Sequence, residues 1–304
     1  MPLSVTILGC SSAIPTLHRN TSAQVVKIRE RLFLVDCGEG TQMQFRKYKI
    51  KFQKINHIFI SHLHGDHYLG LVGLLSSFHL LGRKNDLHIY SHESLKTIID
   101  SQLEISQTVL QYPIIFHSLE YDKSKLIFEN DQMTVETVIL NHRIPTVGFV
   151  FREIQLPLKI KKEVLLTEDI PVSAFDRIKK GEDFICNDGR VLKNSDITTL
   201  PAIANSYAYC SDTGYFESII ETIKNVDLLY HEATFAKDRN QNAIDKLHST
   251  TEDAANIAKK ANAKRLIIGH YSARYDDLSL LLSETKNIFE NSELAEDGKT
   301  FMVD

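Results

Sequence analysis

Apolar and polar positions alternate along the chain in two patterns. Short apolar runs that end at glycine or a polar residue predict buried strands, and apolar residues at helical spacing predict amphipathic helices. The strands are predicted at 5–8, 23–28, 32–35, 58–60, 87–90, 114–119, 133–140, 147–154, 202–210, 228–230 and 266–268. The helices are predicted at 41–48, 68–81, 95–103, 216–223, 250–261 and 278–289.

These elements interleave over the whole length, which favours an α/β layered fold. Each half of the chain gives a run of strands and then strand–helix units. This order predicts two sheets packed face to face with helices outside, rather than one parallel sheet.

Residues 155–199 depart from this rhythm. They contain prolines and glycines, several charges, and apolar residues without a sustained period. We predict an inserted arm here; the alternative is a long irregular surface loop, which is unusual in a compact domain. The basic residues form two clusters: Lys159, Lys161 and Lys162, then Arg177, Lys179 and Lys180.

Composition narrows the class of protein. With 304 residues and 43% hydrophobic positions, the chain can bury a sizeable core. Its four cysteines are widely spaced without a CxxC pair, which is typical of reduced thiols in a cytoplasmic protein. No apolar run approaches the roughly 18 residues that span a bilayer, so no membrane partner is expected. The net charge of -4 does not by itself indicate a polyanion binder, although two divalent metal ions would add positive charge locally.

The segment from His62 to His67 is the most informative in the chain. It places three histidines and an aspartate within six residues, between a predicted strand and a predicted helix. A turn at such a position can aim several side chains at one point, and imidazole with carboxylate suits a metal such as zinc.

His142, Asp212 and His270 follow other predicted strands, where loops gather at a sheet edge. His231 also follows a predicted strand. Seven ligands exceed one tetrahedral site and suit two metal ions that share a carboxylate, for which Asp212 is our choice. Without cysteine ligands, a catalytic site is favoured over a structural one; zinc is the default metal, with manganese or iron possible. The ligand candidates are His62, His64, Asp66, His67, His142, Asp212 and His270.

The histidine segment resembles the signature of the metallo-β-lactamase superfamily. Further motifs, spread in order over most of the chain, resemble those of its ribonuclease Z family, the tRNA 3′-processing endonucleases, in the short form. They are residues 9–16, Arg19-Asn20, residues 36–42, Ser211-Asp212-Thr213, His231-Glu232-Ala233-Thr234, His248-Ser249-Thr250 and residues 269–275.

The resemblance implies a single four-layer αββα sandwich over residues 1–304, with two zinc ions at its edge and a homodimeric assembly. It implies that Asp66 accepts a proton from the nucleophilic water. It divides the ligands between one ion held by His62, His64 and His142 and another held by Asp66, His67 and His270, with Asp212 shared.

The implied reaction is hydrolysis of precursor tRNA near the discriminator base, leaving a 3′ hydroxyl on the tRNA and a 5′ phosphate on the trailer. His248 is our candidate for protonating the leaving oxygen, and Glu232 for orienting it. The alternative for His248 is that it merely caps the helix near Thr250. His231 is expected to support the metal ligands rather than to bind metal.

The resemblance also implies that the arm binds the tRNA, and its basic clusters, with Arg274, fit phosphate contacts. The glycine–proline pairs usual in the arm are missing, which affects the details of tRNA contact and not the chemistry. The main competing hypothesis is a dimetal phosphodiesterase for small or generic diesters. Nothing favours acyl substrates, and a non-catalytic RNA-binding paralogue would be expected to lack some of the ligands.

Overall fold

The computed structural model describes residues 3–303. The strands of the first half are β1 Leu3–Gly9, β2 Ser11–Ser12, β3 Ala23–Ile28, β4 Arg31–Val35, β5 Ile55–Phe59, β6 Leu87–Ser91, β7 Ile114–Ser118, β8 Leu126–Glu129, β9 Met133–Ile139 and β10 Val147–Glu153. The later strands are β11 Lys159–Ile160, β12 Phe184–Ile185, β13 Val191–Leu192, β14 Thr198–Thr199, β15 Ser206–Cys210, β16 Leu228–Glu232, β17 Arg265–Gly269, β18 Tyr271–Ser272, β19 Ser292–Leu294 and β20 Thr300–Val303. The helices are α1 Thr41–Lys47, α2 Gly65–Tyr68, α3 Leu71–Leu80, α4 Ser94–Ile105, α5 Lys162–Thr167, α6 Phe175–Lys179, α7 Asn194–Ile197, α8 Asn240–Lys246, α9 Thr251–Lys260 and α10 Ser279–Lys286.

Two seven-stranded mixed sheets form the larger part of the protein. Their strand orders are β20-β1-β3-β4-β5-β6-β7 and β19-β17-β16-β15-β10-β9-β8. In each sheet an antiparallel part joins a parallel part, in which the carboxyl ends of the strands meet at one edge. The predicted pair of sheets is confirmed.

Aromatic side chains fill the space between the two sheets. Phe33 and Phe59 of the first sheet meet Phe151 of the second, with ring centroids 5.9 and 5.6 Å apart. A second apolar layer lies on the opposite face of the first sheet, where α1, α3 and α4 cover it with buried leucine, isoleucine and phenylalanine side chains. Burial of both sheet faces explains why several of the strands appear in the sequence as continuous apolar runs.

Some elements differ from the sequence prediction. The helix predicted at 216–223 is wrong: only residues 217–219 form a 3₁₀ turn, although Ile219 and Ile223 are buried. Strands β8, β19 and β20 and helix α8 were not predicted, because the strands have three or four residues and α8 has one buried side chain.

Residues 153–204, together with 130–133, make a second compact unit. It consists of short helices and two-stranded ladders around a small core of Ile170, Ile178 and Ile197. The segment predicted as an arm at 155–199 lies within this unit. Among the helices between residues 3 and 303, none has the length and apolar character needed to cross a membrane.

Candidate dimetal site

The predicted ligands lie in loops that follow strands of the two sheets. His62 and His64 follow β5, and Asp66 and His67 lie in the four-residue helix α2. The remaining three follow strands of the second sheet: His142 after β9, Asp212 after β15 and His270 after β17. The two sheets therefore contribute their ligands to one edge of the sandwich.

Two of these ligands occupy an unusual backbone conformation. Asp212 has a φ of 49° and His270 a φ of 57°, both in the left-handed region that non-glycine residues seldom adopt. His270 directly follows β17, and Asp212 is the second residue after β15. The left-handed backbone at these positions ends the alternation of side chains between the two faces of the sheet. Such strain persists where the surrounding structure holds it, often at functional sites.

The first group of donor atoms contains three imidazole nitrogens. His64 Nδ1 lies 3.0 Å from His62 Nε2 and 3.1 Å from His142 Nε2. Asp212 Oδ2 lies 3.6 Å from His62 Nε2 and 3.7 Å from His142 Nε2. His64 therefore presents Nδ1, whereas the other two histidines present Nε2.

The second group surrounds the other oxygen of the same aspartate. Asp212 Oδ1 lies 3.1 Å from His67 Nε2 and 3.0 Å from His270 Nε2. Asp66 Oδ2 lies 3.4 and 3.3 Å from those same two nitrogens. One oxygen of Asp212 therefore faces each group, which is the arrangement expected of a shared carboxylate.

The donor chemistry of both groups fits metal cations. Burial, and then the neighbouring His67, holds the pKa of His62 well below its usual value, so this imidazole keeps the neutral form that a metal requires. Burial also lowers the pKa of His67, but the charges of Asp212, Asp66 and Asp36 outweigh it and raise the pKa well above its usual value. The second group thus attracts a positive charge. These seven donors and the fold indicate a dimetal site.

In His62, His142 and His270, the ring nitrogen that faces away from the donor groups has a partner. His62 Nδ1 meets Ser61 Oγ at 3.0 Å, and His270 Nδ1 meets Thr234 Oγ1 at 3.0 Å. His142 Nδ1 donates to the main-chain carbonyl of Leu247 at 2.9 Å. These contacts orient the rings before any metal binds.

Asp36 is a functional residue that sequence reasoning missed as a member of the site. It is fully buried, and its Oδ2 accepts from His67 Nδ1 at 2.7 Å and from the Tyr209 hydroxyl at 2.7 Å. Its Oδ1 accepts from the Ser61 main-chain N–H at 2.7 Å. The sequence does show an aspartate directly after a predicted strand. Its contact with His67, however, depends on the pairing of β4 with β5, which the sequence does not show.

His248 lies beside the ligands and is held by a buried carboxylate. Its Nδ1 is 2.8 Å from Glu232 Oε1, and Glu232 also accepts from the main-chain N–H of Thr213 and the hydroxyl of Thr234. Burial lowers the pKa of His248, but the charge of Glu232 and the hydrogen bond to it outweigh this effect and raise the pKa to about 9. Thr250 is the residue that caps α9, through a capping box with Asp253, so the hypothesis that His248 only caps this helix is wrong.

One peptide group connects His248 to a metal ligand. The peptide that joins Leu247 to His248 accepts from His142 through its carbonyl and donates to the Ala243 carbonyl through its N–H, at 2.9 Å in both cases. Leu247, with a φ of 52°, ends α8 and turns this peptide toward the ligands. His231 is buried, and its Nδ1 donates to the Glu232 carbonyl. Its ring belongs to neither donor group.

An open cleft of about 300 Å³ gives access to these groups. Among the histidines, His64, His248 and His270 line it, with Asp66 and Asp212. Ala13 also lines the cleft and donates its main-chain N–H to Asp66 Oδ2 at 2.8 Å. Candidate ligands from both donor groups and the cationic His248 therefore line the same cleft.

The predicted tRNA-binding residues lie outside this cleft. Arg274 places its guanidinium 5.2 Å from the ring centre of Phe235 and bonds Ser272. In the second unit, Arg177 pairs with Glu182 at 2.6 Å, and Lys161 donates to the Asp196 carbonyl. The ammonium group of Lys179 lies 6.0 Å from the Phe175 ring, and Lys159, Lys162 and Lys180 are exposed.

Comparison with known proteins places the chain among relatives of nearly equal length. A family profile described as the anti-Pycsar protein Apyc1 matches residues 3–288. The chain is 47% identical to ribonuclease Z of Phocaeicola vulgatus over 291 residues, covering 96% of this chain and 94% of that protein. It is 46% identical to ribonuclease Z of Bacteroides thetaiotaomicron, covering 98% and 94%.

The chain belongs to the ribonuclease Z family. Among solved structures, the short form of human tRNase Z superposes with a TM-score of 0.73 and 28% identity, covering 99% of both chains. YhfI of Bacillus subtilis, a metallo-β-lactamase fold protein, gives a TM-score of 0.68 at 20% identity, again over 99% of both chains, and supports the fold alone. The expected ribonuclease Z resemblance and the metallo-β-lactamase sandwich are both confirmed.

Proposed function

We propose that the chain is an endoribonuclease that removes 3′ trailers from precursor tRNA by phosphodiester hydrolysis. The observation that carries the proposal is the 47% identity to a ribonuclease Z, combined with a cleft that exposes two metal-ligand groups and a protonated histidine. The products would be tRNA with a 3′ hydroxyl and a trailer with a 5′ phosphate.

Two zinc ions are the proposed cofactors, with manganese or iron as alternatives for a site of nitrogen and oxygen donors. His62, His64 and His142 would hold one ion and Asp66, His67 and His270 the other, with Asp212 shared. When bound, such a pair of ions offsets the negative charge of the phosphodiester and makes water a stronger nucleophile.

The remaining chemistry belongs to side chains of the cleft. Burial raises the pKa of Asp66, but the charge of His67 and the hydrogen bonds from His270 and His67 outweigh this effect and lower the pKa, so the carboxylate is ionised. In this form it has the oxygen lone pairs that a proton acceptor for the attacking water requires. His248 has its Nδ1 bound to Glu232, which leaves Nε2 free to donate a proton to the departing 3′ oxygen. His231 would support the strand end by holding the Glu232 carbonyl.

The tRNA body would be bound by the second compact unit. Lys159, Lys162 and Lys180 are exposed there, so their charges are accessible to phosphates. Replacing these three lysines by glutamate is expected to raise KM for precursor tRNA about tenfold or more, measured by steady-state kinetics at 0.1 M salt. An unchanged KM would show that this unit does not bind the tRNA body.

The proposed setting is a cytoplasmic homodimer. The cysteines in the described range are free thiols, three of them buried, which suits a reducing compartment. The dimer rests on the resemblance to the short form of the family. Light scattering on the purified chain measures its mass directly, and a monomer at working concentrations would contradict this part of the proposal.

The Glu232–His248 pair predicts a specific pH dependence. His248 is protonated below its pKa of about 9, so activity that needs this proton is lost as the pH rises through that value. Glu232→Gln removes the charge that raises the pKa, so the alkaline limb of the kcat profile should move to lower pH, by about one unit or more. The loss relative to the unsubstituted chain would be larger at pH 8 than at pH 6. A loss of equal size at both pH values would contradict the role of Glu232.

The decisive experiment for the function uses a 3′-extended precursor tRNA. The holoenzyme should cut it once, next to the discriminator base, and the ends can be mapped by sequencing and by phosphatase sensitivity. Incubation with a chelator should stop the reaction, and added Zn²⁺ or Mn²⁺ should restore it. Hydrolysis of small diesters without any cut in the precursor would favour the phosphodiesterase alternative.

A further inference from the structure

Arg143 is the one lysine or arginine among the described residues that line the catalytic cleft. Its side chain is exposed, and within residues 3–303 the guanidinium has no carboxylate or hydrogen-bond partner. The arginines of the second unit differ from it: Arg177 and Arg190 are both engaged in ion pairs. The five N–H groups of Arg143 are therefore available to a ligand in the cleft.

The loop that presents Arg143 is held at several points. Leu140 N–H donates to the Thr146 carbonyl at 3.1 Å, and the neighbouring His142 is fixed by the Leu247 carbonyl. The loop is also tied to the segment after Asp212, since Asn141 N–H donates to Thr213 Oγ1 at 3.1 Å. Such a loop presents its arginine from a fixed main chain, which lowers the entropy cost of binding.

The other charged groups of the cleft are less suited than Arg143 to bind the phosphates of an RNA backbone. Asp66 and Asp212 belong to the metal-ligand groups, and His248 stands where it can protonate the leaving oxygen. Glu39 also lines the cleft and is exposed, but its charge repels phosphate. An RNA strand has one phosphate per nucleotide, so the phosphates beside the scissile one need another cation. Arginine binds phosphate through two parallel hydrogen bonds and is suited to this task.

We propose that Arg143 binds the backbone phosphate next to the scissile phosphate and so sets the position of the RNA strand in the cleft. This inference rests on the proposed function, because it requires a polynucleotide substrate. It assigns Arg143 to substrate binding and alignment rather than to the bond-breaking step.

The test compares three substrates with holoenzyme carrying its full metal content. A 3′-extended tRNA and a short single-stranded RNA both have flanking phosphates, whereas bis(p-nitrophenyl) phosphate has none. For Arg143→Ala we expect KM for both RNAs to rise about tenfold, with a smaller effect on kcat. The loss of kcat/KM should be at least about fivefold greater for the RNAs than for the small diester. The slope of log KM against log salt for the short RNA should fall by about 0.7, the value for one lost contact in a single strand.

Two further variants act as controls. Arg143→Lys keeps the charge and should recover part of the affinity but not the bidentate geometry. Glu39→Gln changes an exposed group of opposite sign in the same cleft, so it should lower KM for RNA or leave it within twofold. Metal content of each variant is measured in parallel, since loss of metal would indicate that the loop, rather than the guanidinium, was disturbed.

The outcomes separate the two proposals. An equal loss on RNA and on the small diester would place Arg143 on the scissile phosphate and overturn the inference, and so would an unchanged KM for the short RNA. If the unsubstituted enzyme cuts the short RNA but makes no cut at the 3′ end of tRNA, the proposed function fails. The Arg143 comparison then still stands on the short RNA.

Discussion

Asp212→Asn is expected to reduce kcat by roughly 10³–10⁴-fold and to lower the metal content below two ions per chain. The reason is that each oxygen of Asp212 faces one of the two donor groups, at 3.0 to 3.7 Å from their histidine nitrogens. Asparagine keeps the shape and tolerates the left-handed backbone at this position, but it loses the charge and presents an N–H₂ group to one of the two sites. Alanine would add backbone strain to the loss of the ligand and is the less informative substitution.

Metal analysis by mass spectrometry, beside turnover of precursor tRNA, measures both effects. Asp227→Asn is a matched control, because Asp227 is a largely buried aspartate that pairs with Lys264 and bonds Ser206 away from the ligands. That variant should retain two ions, whatever it loses in stability. Full metal content in Asp212→Asn would exclude Asp212 as the shared ligand.

His248→Ala should give the opposite combination of results: an unchanged metal content and a kcat lower by about 10²–10⁴-fold. His248 contributes no atom to the two groups that we assign to metal, so its removal leaves those seven donors in place. What disappears is the proton that His248 carries at the cleft and that the charge of Glu232 stabilises. The effect should be smaller for a substrate with a good leaving group, because p-nitrophenolate departs without help from an acid.

His79→Ala is the control for removal of an imidazole elsewhere. His79 is on α3, outside the cleft, and its Nδ1 accepts from the main-chain N–H of Gln111. Turnover by the His79→Ala variant should stay within about twofold of that of the unsubstituted chain. If His248→Ala turns over precursor tRNA at that same rate, His248 does not supply the proton.

The candidate ligands could be predicted because most of the segments that carry them follow short apolar runs. Strand Arg265–Gly269 is fully buried from Leu266 onward, so the run Leu266-Ile267-Ile268 is apolar and the histidine after the strand stands out. His142, Asp212 and His270 each have this position. Strand ends on the same side of a sheet meet in space, so sequence position alone indicated that these residues converge.

The contacts that orient the ligands could not be predicted in the same way. Asp36 reaches His67 only because β4 and β5 pair in parallel with Val35 opposite Phe59. The N–H of Ala13 reaches Asp66 from a loop 53 residues away, and any residue except proline offers such a donor. Arg143 carried no signal, since an exposed arginine in a loop is common.

The second unit shows a different limit. Its core has three buried isoleucines. Ile178 and Ile197 lie on helices of five and four residues, which are too short to give a period, and Ile170 lies outside any helix or strand. Its charged groups also proved less available than their sequence suggested, since Arg177 is paired with Glu182. Pairing between side chains close in sequence but on different turns depends on local backbone geometry that composition does not specify.

The peptide between Leu247 and His248 would link the affinity for the proposed metal ion at His142 to the position of the proposed acid, His248. An ion that fixes the His142 ring also favours one orientation of this peptide, and with it one position of the imidazole that follows. Linkage is reciprocal, so a bound RNA end that stabilises that position would increase the affinity for the proposed ion at His142 by the same factor. The enzyme would then hold its metal more firmly during turnover than at rest.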